Sequence, residues 1–475
     1  MKVLFVAAEA SPYIKKGGLG DVIGSLPNEL RKLGVDARVI LPKYLDIPEE
    51  YTKQMIFKKS INVALGWRNQ YCGIYKIKNK PFYFIDNEYY FKRNDVYGFE
   101  DDAERFVFFS KAVLEAIPYL GFTPDLIHCH DWHTAPLILF LKEHYHSISN
   151  TLSVFTIHNL KYQGIFNKNI LPDLLSLNED IYNYPELEFF GQVNFMKCGI
   201  KMADLVTTVS RTYSEEIKTP FFGEQLDGVC KDRGDQLYGI INGIDYEVYN
   251  PKIDKYIVAR YGKDTIKNKP INKRHLQELL GLPVNDVPMI AMVSRLVSQK
   301  GFDLVAHVLD KILRMEIQMV VLGTGEKCYE QLFINYANKY PDKLSANITF
   351  DRQLAHKIYA ASDIFLMPSL FEPCGLGQMI ALRYGTVPVV RKTGGLKDTI
   401  QAYDEISGVG NGFVFENYNA HEMFNTLQKA VEIYQLKDKW LHLMQNAISS
   451  DCSWSKSAKK YLELYRNLIT GDPKQ

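Results

Sequence analysis

Strand-length runs of apolar residues, each closed by a turn and followed by a helical pattern, recur along the whole chain and constrain its fold more than any other feature. In the first half they are KVLFVAAE, ARVILPKY, PFYFID, DLIHCH, SVFTIH, LVTTVS and YGIIN; the second half repeats the habit with VPMIAMVSR, IQMVVLG, ANITF, DIFLMPS and TVPVVRK. Near-continuous apolar strands that alternate with helices read as parallel sheets covered on both faces. At 475 residues the chain is too long for one ordinary core. The expected fold class is therefore α/β, as two layered domains in series.

The boundary falls in IINGIDYEVYNPKID, where a strand ending at Asn242 runs into Gly, Asn and Pro and a polar stretch follows to about Lys273. This gives domains 1–241 and 242–475. Residues 45–80, with the hairpin-like YCGIYKIKNKPFYFID, residues 87–102 and the polar loop 165–190 read as insertions or caps on the first domain. The closing SWSKSAKKYLELYRNLI has helical spacing at Ala458, Tyr461, Leu462, Leu464, Tyr465 and Leu468, so a helix over about 456–470 must pack on something.

Lys and Arg total 56 against 55 Asp and Glu, a formal charge of +1, so no global field recruits nucleic acid or an anionic membrane, and any anion site is local. No stretch approaches the ~20 apolar residues of a membrane span, and KVLFVAAEA reaches Glu9 without a signal-like apolar region. The seven cysteines are scattered, with no Cys-x-x-Cys pair, which argues against a disulfide framework or structural zinc and fits a reducing compartment. A cytoplasmic location is expected.

In open α/β sheets ligands bind beyond the carboxyl ends of the strands, so residues just after each strand bear inspection. KKGGLGDVIGSLPNELRKLG follows the first strand and opens a helix with Val22, Leu26 and Leu30 on its apolar face. Glycines there permit close backbone approach, and a helix N-terminus attracts phosphate; the plain alternative is a tight turn with solvated lysines. The spacing is not GxGxxG and no acidic residue ends the second strand, which weakens a nicotinamide-cofactor reading. DLIHCHDWHTAPL places His128 and His130 on one face of a strand, with Asp131 and His133 beyond, but offers no HExxH-like zinc spacing. FTIHNLKYQG ends the next strand with His158 and Asn159, and two strand-end polar sets in one half favour a sugar-hydroxyl site over pure packing.

In the second half SRLVSQKGFDL sets Arg295 and Lys300 on a strand-end loop, a forked and a point charge suited to a diphosphate, with solvated surface charges as the alternative. LGTGE adds Gly323 and Gly325. PSLFEPCGLGQ turns at Glu372 and Pro373 and opens a helix after Gly375 and Gly377, and VVRKTGGLKDTI supplies Thr393, Gly394 and Gly395 before another helix.

Together KKGGLGDV, HCHDWHT, FTIHNLKYQG, IINGID, VSRLVSQKGFDL, FEPCGLGQ and RKTGGLKDT, in this order over almost the whole chain, resemble the glycogen synthase and starch synthase family of bacteria and plastids. The resemblance implies the GT-B fold: two Rossmann-like doubly wound parallel-sheet lobes, a cleft between them, and a C-terminal helix crossing back to the first lobe. It implies retaining transfer of glucose from ADP-glucose to the nonreducing-end 4-hydroxyl of an α-1,4-glucan, with no metal and no other cofactor. The catalytic set it implies is His158, Arg295, Lys300 and Glu372. Donor binding falls to Lys15, Gly17, Gly18, Asn242, Cys374, Gly375, Leu376, Thr393, Gly394 and Gly395, and positioning of sugar and acceptor to Asp21, Asp131 and Trp132. Two departures stand out: Lys16 occupies a position where many relatives have Thr, and residues 45–100 match the family only loosely, at YFKRNDVYG. Competing readings are a GT-B enzyme with a small acceptor and a catalytically silent glucan-binding relative. Glucan-dependent nucleotide release separates the first from a synthase, and the intact set Lys15, His158, Arg295, Lys300 and Glu372 argues against the second.

Overall fold

The computed structural model describes residues 1–145, 148 and 150–471. The chain divides into two compact units, Met1–Ile241 together with the chain from Trp454 onward, and Asn242–Ser453.

The first unit is built on strands β1 (Lys2–Val6), β2 (Asp36–Pro42), β3 (Met55–Leu65), β4 (Arg68–Ile77), β5 (Phe82–Asp86), β6 (Leu126–His130) and β7 (Leu152–Ile157). Three two- or three-residue strands, β8 (Ile165–Phe166), β9 (Glu188–Phe189) and β10 (Gln192–Asn194), form a small antiparallel sheet at the ends of the polar 165–190 region and just beyond it. β11 (Leu205–Thr208) and β12 (Leu237–Gly239) complete the main sheet, whose order is β12-β11-β7-β6-β1-β2-β5-β4-β3. The strands from β12 to β5 run parallel; β6 is buried throughout, and β1 and β7 are buried apart from their first residues, as expected of strands covered on both faces. The order steps away from β1 in both directions, through β2 on one side and β6 on the other, which makes the carboxyl ends of β1 and β6 the switch point of this sheet.

Residues 55–77, read from the sequence as part of an insertion or cap, join the main sheet: β4 pairs antiparallel with β5 as the hairpin reading expects, and β3 pairs antiparallel with β4 at the edge. On β4, Asn69 and Tyr71 of one face are exposed while Cys72 and Ile74 of the other are buried, the alternation of a sheet with one open face. The closing helix, Trp454–Thr470, starts at Trp454 and belongs to the first unit, packed against the helix Gly18–Lys32 with Ala458, Tyr461, Leu462 and Tyr465 buried.

The second unit carries β13 (Met289–Val293), β14 (Gln318–Leu322), β15 (Leu344–Asn347), β16 (Ile364–Met367), β17 (Val387–Arg391) and β18 (Phe413–Phe415), all parallel, in the order β15-β14-β13-β16-β17-β18. The switch point lies between β13 and β16. Helix Phe302–Arg314 shows why this layer forms: Phe302, Val305, Val308, Leu309 and Ile312 recur at helical spacing and are all buried against the sheet. The short edge strand β18 is not among the runs read from the sequence, because GFVFE offers only three residues of strand before the polar ENYN. Among the described residues no helix is long and apolar enough to cross a membrane.

Candidate active site

The turn after β1 is organised by a residue absent from the sequence-derived set. Glu9 is buried, and its carboxylate accepts the backbone N–H of Lys16 at 2.6 Å and of Gly17 at 2.9 Å, while the Tyr97 hydroxyl donates to its other oxygen at 2.7 Å. The available signal was a carboxylate closing an otherwise apolar strand run. Lys15 pairs with Asp21 at 2.7 Å, and Lys16 with Asp95 at 3.0 Å. Helix Gly18–Lys32 then begins with Gly17 in an extended conformation and no side chain capping it. Its first N–H groups therefore have no intrahelical acceptor.

The glycines of this turn separate into two kinds. A Cβ built on Gly24 would lie 2.6 Å from the Ser11 carbonyl oxygen, so packing demands glycine there, and one on Gly20 would crowd the Lys15 side chain at 3.1 Å. A Cβ on Gly17 or Gly18 meets nothing within 4 Å, and neither residue has positive φ. Neither fold nor backbone conformation asks for glycine at 17 or 18, and open space lies over them.

Beyond β6 and β7, adjacent residues grip His158 from two sides. Asp131 Oδ1 accepts the His158 backbone N–H at 2.8 Å, and His130 Nδ1 lies 2.9 Å from His158 Nε2. Asp131 itself sits at φ 57°, uncommon for a residue other than glycine. Burial pushes its carboxyl up to about 7, against the pull of the backbone N–H groups of His158 and Asn159. Burial also presses His158 down to about 3, so its imidazole is neutral at physiological pH.

The remaining histidines are taken up elsewhere. His128 bonds Tyr465 of the closing helix at 2.7 Å and Thr156 at 2.6 Å, and His133 is stacked on Trp132 with ring centroids 4.0 Å apart. Among the described residues no three His, Cys, Asp or Glu side chains are arranged to hold a metal ion. Trp132 is buried against Phe106, Phe166 and His133, and a Cβ on Gly164 would sit 2.4 Å from its ring. It braces the chain after β7 rather than presenting a face to solvent.

In the second unit Lys300 and Glu372, predicted for different tasks, form an ion pair of 2.6 Å, and Ser369 Oγ donates to the same carboxylate oxygen at 3.1 Å. Arg295 is exposed, and among the described residues no carboxylate pairs with it. The loops flanking the switch point are tied together through their backbones. The Leu370 N–H donates to the Gln299 carbonyl at 2.9 Å, the Gly395 N–H to the Glu372 carbonyl at 3.1 Å, and Arg391 Nε to the Ser369 carbonyl at 2.8 Å. Gln378 Nε2 donates to the carbonyls of Cys374 and Gly375, both at 3.0 Å.

Here the motif glycines are consumed by packing. A Cβ on Gly394 would lie 1.9 Å from the Glu372 carbonyl oxygen, on Gly395 2.0 Å from that of Cys374, and on Gly375 2.4 Å from Gln378 Oε1. Gly301, Gly323 and Gly325 meet backbone oxygens of Pro368, Ser294 and Leu296 at 2.1, 1.9 and 2.2 Å. Thr393 is buried and Leu376 half-buried, each leading into a short helix. Asn242 is buried with its backbone N–H on the Cys374 thiol and its side-chain oxygen unpartnered.

Known proteins match this arrangement over the whole chain. The family described as starch synthase catalytic domain matches residues 2–232, and glycosyl transferases group 1 matches residues 281–443. A glycogen synthase of Desulforamulus reducens is 54% identical over 475 residues, covering 99% of both chains, and one of Clostridioides difficile is 52% identical over 478 residues, covering 98% of this chain and 100% of that one. Among solved structures, the catalytic domain of starch synthase IV from Arabidopsis thaliana, bound to ADP and acarbose, superimposes with a TM-score of 0.92 at 33% identity, covering 98% of this chain and 99% of that one. A sucrose-phosphate synthase from Thermosynechococcus elongatus, with a TM-score of 0.63 at 16% identity and coverage of 99% and 100%, shares the fold. Two parallel-sheet units of the GT-B type, with the expected charged and glycine turns at their strand ends, agree with that kinship: the chain belongs to the glycogen synthase and starch synthase family of glycosyltransferases.

Proposed function

We propose that the protein elongates an α-1,4-glucan by transferring glucose from ADP-glucose to the nonreducing-end 4-hydroxyl, with retention and release of ADP. Family membership gives the reaction class. The observation that carries the substrate reading is the open space over Gly17 and Gly18 at an uncapped helix N-terminus beside Lys15, a ready seat for an anionic ligand. That the Arabidopsis relative was captured with ADP and acarbose supports an adenine nucleotide and a glucan-like acceptor.

On this reading Arg295, free of any protein carboxylate among the described residues, and Lys300 neutralise the departing diphosphate, and no metal is needed for that task. Retaining glycosidases use a carboxylate nucleophile. Glu372 is committed to Lys300 and Ser369 and suits the holding of glucose hydroxyls better than attack on carbon. The attack is then front-face, with the leaving diphosphate accepting the proton of the glucan hydroxyl. His158, neutral, serves the transferred sugar through its ring or its carbonyl, held by Asp131. Asp21 orients Lys15, and Trp132 supports the sugar-positioning loop from behind. Asn242, Cys374, Gly375, Leu376, Thr393, Gly394 and Gly395 form the donor-side backbone. Seven free cysteines, six of them buried, suit a cytoplasmic protein.

The test is release of nucleoside diphosphate from ADP-glucose and from UDP-glucose, with and without glycogen, in the presence of chelator. Release from ADP-glucose that needs glycogen and survives chelation is the expected result. Release from UDP-glucose alone overturns the donor assignment, loss on chelation overturns the metal-free step, and release without glycogen overturns the acceptor.

A further inference from the structure

His130 is not in the catalytic, donor or acceptor sets read from the sequence, yet its ring carries an asymmetry that bears on His158. Its Nδ1 lies 2.9 Å from His158 Nε2, whereas its Nε2 is buried with no hydrogen-bond partner among the described residues. The surroundings are rings, with His128 4.1 Å and Phe5 5.8 Å away between centroids. One proton joins the two imidazoles, and either ring could supply it. If His158 donated, a neutral His130 would carry its own proton on Nε2, a buried N–H with nothing to accept it. If His130 donates from Nδ1, only a lone pair is left unpartnered, and orphaned buried N–H groups are the rarer outcome in folded proteins.

We infer that His130 is a positioning residue that fixes the tautomer of His158: His130 Nδ1–H donates to His158 Nε2, so that His158 carries its proton on Nδ1. Among the described residues no protein group bonds that nitrogen. His158 is thereby a hydrogen-bond donor, not an acceptor, to whatever ligand reaches it. Resting on the proposed glucosyl transfer, this ligand group is a hydroxyl oxygen of the transferred sugar. The clamp is economical in sequence: His130 orients the ring and its neighbour Asp131 holds the backbone N–H of the same residue. Burial, which keeps both imidazoles neutral, is consistent with a single shared proton.

Two measurements test this. Long-range proton–nitrogen NMR on the full chain labelled with nitrogen-15 histidine, with His158 assigned by loss of its signals in His158→Gln, reads the tautomer without reference to activity. A protonated Nδ1 and an unprotonated Nε2 on His158 are expected. The opposite tautomer, or averaged shifts, overturns the inference. Kinetics then read the consequence: His130→Asn, whose amide can donate from the place of Nδ1, should keep kcat within about threefold of wild type, while His130→Phe should lose tenfold or more in kcat with a smaller change in KM for the nucleotide sugar. Equal losses in both variants, or no loss in either, overturn the positioning role. If wild-type protein shows the expected tautomer but no glucosyl transfer to glucan, the proposed function fails and the tautomer assignment stands.

Discussion

The turn KKGGLGDV of the first unit and the turns FEPCGLGQ and KTGGLKD of the second read alike in sequence, yet their glycines do different work. In the second unit the space that a side chain would need at Gly375, Gly394 and Gly395 is already filled by neighbouring loops, and Gly375 and Gly394 have positive φ besides. In the first, Gly17 and Gly18 face open space in conformations any residue adopts. A glycine motif can thus mean a packed backbone or a surface kept clear for a ligand. Only the three-dimensional surroundings tell the two apart.

The charges divide in a similar way within the second unit, between Lys300, paired with Glu372, and Arg295, which has no carboxylate partner among the described residues. The largest effect is expected from Lys300→Ala. It removes a cation proposed to meet the leaving group, costing ~3 kcal/mol in the transition state or about a hundredfold in kcat. It also strands a buried carboxylate, which typically costs about 3–5 kcal/mol of stability. Steady-state kinetics and a thermal melt should therefore both move, and an unchanged kcat would sink the assignment. Arg295→Ala should lose a similar hundredfold in kcat and leave the melt where it was, since no protein partner is abandoned. A lowered melting temperature there would mean a structural role.

Next comes the contrast between glycines. Gly394→Ala forces a side chain into left-handed backbone against the Glu372 carbonyl and should cost about 3 kcal/mol, or roughly 5–10 °C in Tm. Gly17→Ala should leave Tm within about 2 °C but lower kcat/KM for the nucleotide sugar by roughly 10–100-fold, on the order of 2 kcal/mol. A Gly17→Ala protein with full activity breaks the comparison, because nothing would then need the open space.

The smallest effect concerns Asp131. Its native pKa of about 7 lies above that of the unfolded chain, so the native state binds the proton more tightly, and the resulting stabilisation is present below about pH 4 and lost as pH rises through 7. Between pH 6 and pH 8 this amounts to about 1 kcal/mol of declining stability. Urea unfolding of wild type and Asp131→Asn at both pH values isolates it. Equal pH slopes in the two proteins would show that Asp131 ionises as in the unfolded chain.

The sequence made the layered α/β plan legible because parallel strands buried on both faces leave unbroken apolar runs. It also singled out His158, Arg295, Lys300 and Glu372, which the structure places just beyond strand ends, where such sheets bind ligands. What it hid was pairing at long sequence separation. Glu9 and Tyr97 lie 88 positions apart, His130 and His158 28, and Lys300 and Glu372 72. The last two pairs follow strands that become neighbours only in the folded sheet, and Tyr97 reaches Glu9 from the loop before helix Asp102–Ala116, so local spacing carries no trace of any of them. That β3 and β4 continue the main sheet is not legible for a related reason, since a hairpin looks the same in sequence whether it joins a sheet or projects from it as an insertion or cap.

The most direct test of the account is proton NMR of a maltooligosaccharide incubated with the protein and ADP-glucose. Chains one or more units longer, new anomeric signals of α-1,4 linkage only, and one ADP released for each glucose added are expected. Free glucose in place of chain growth, or a β-linked product, would contradict it.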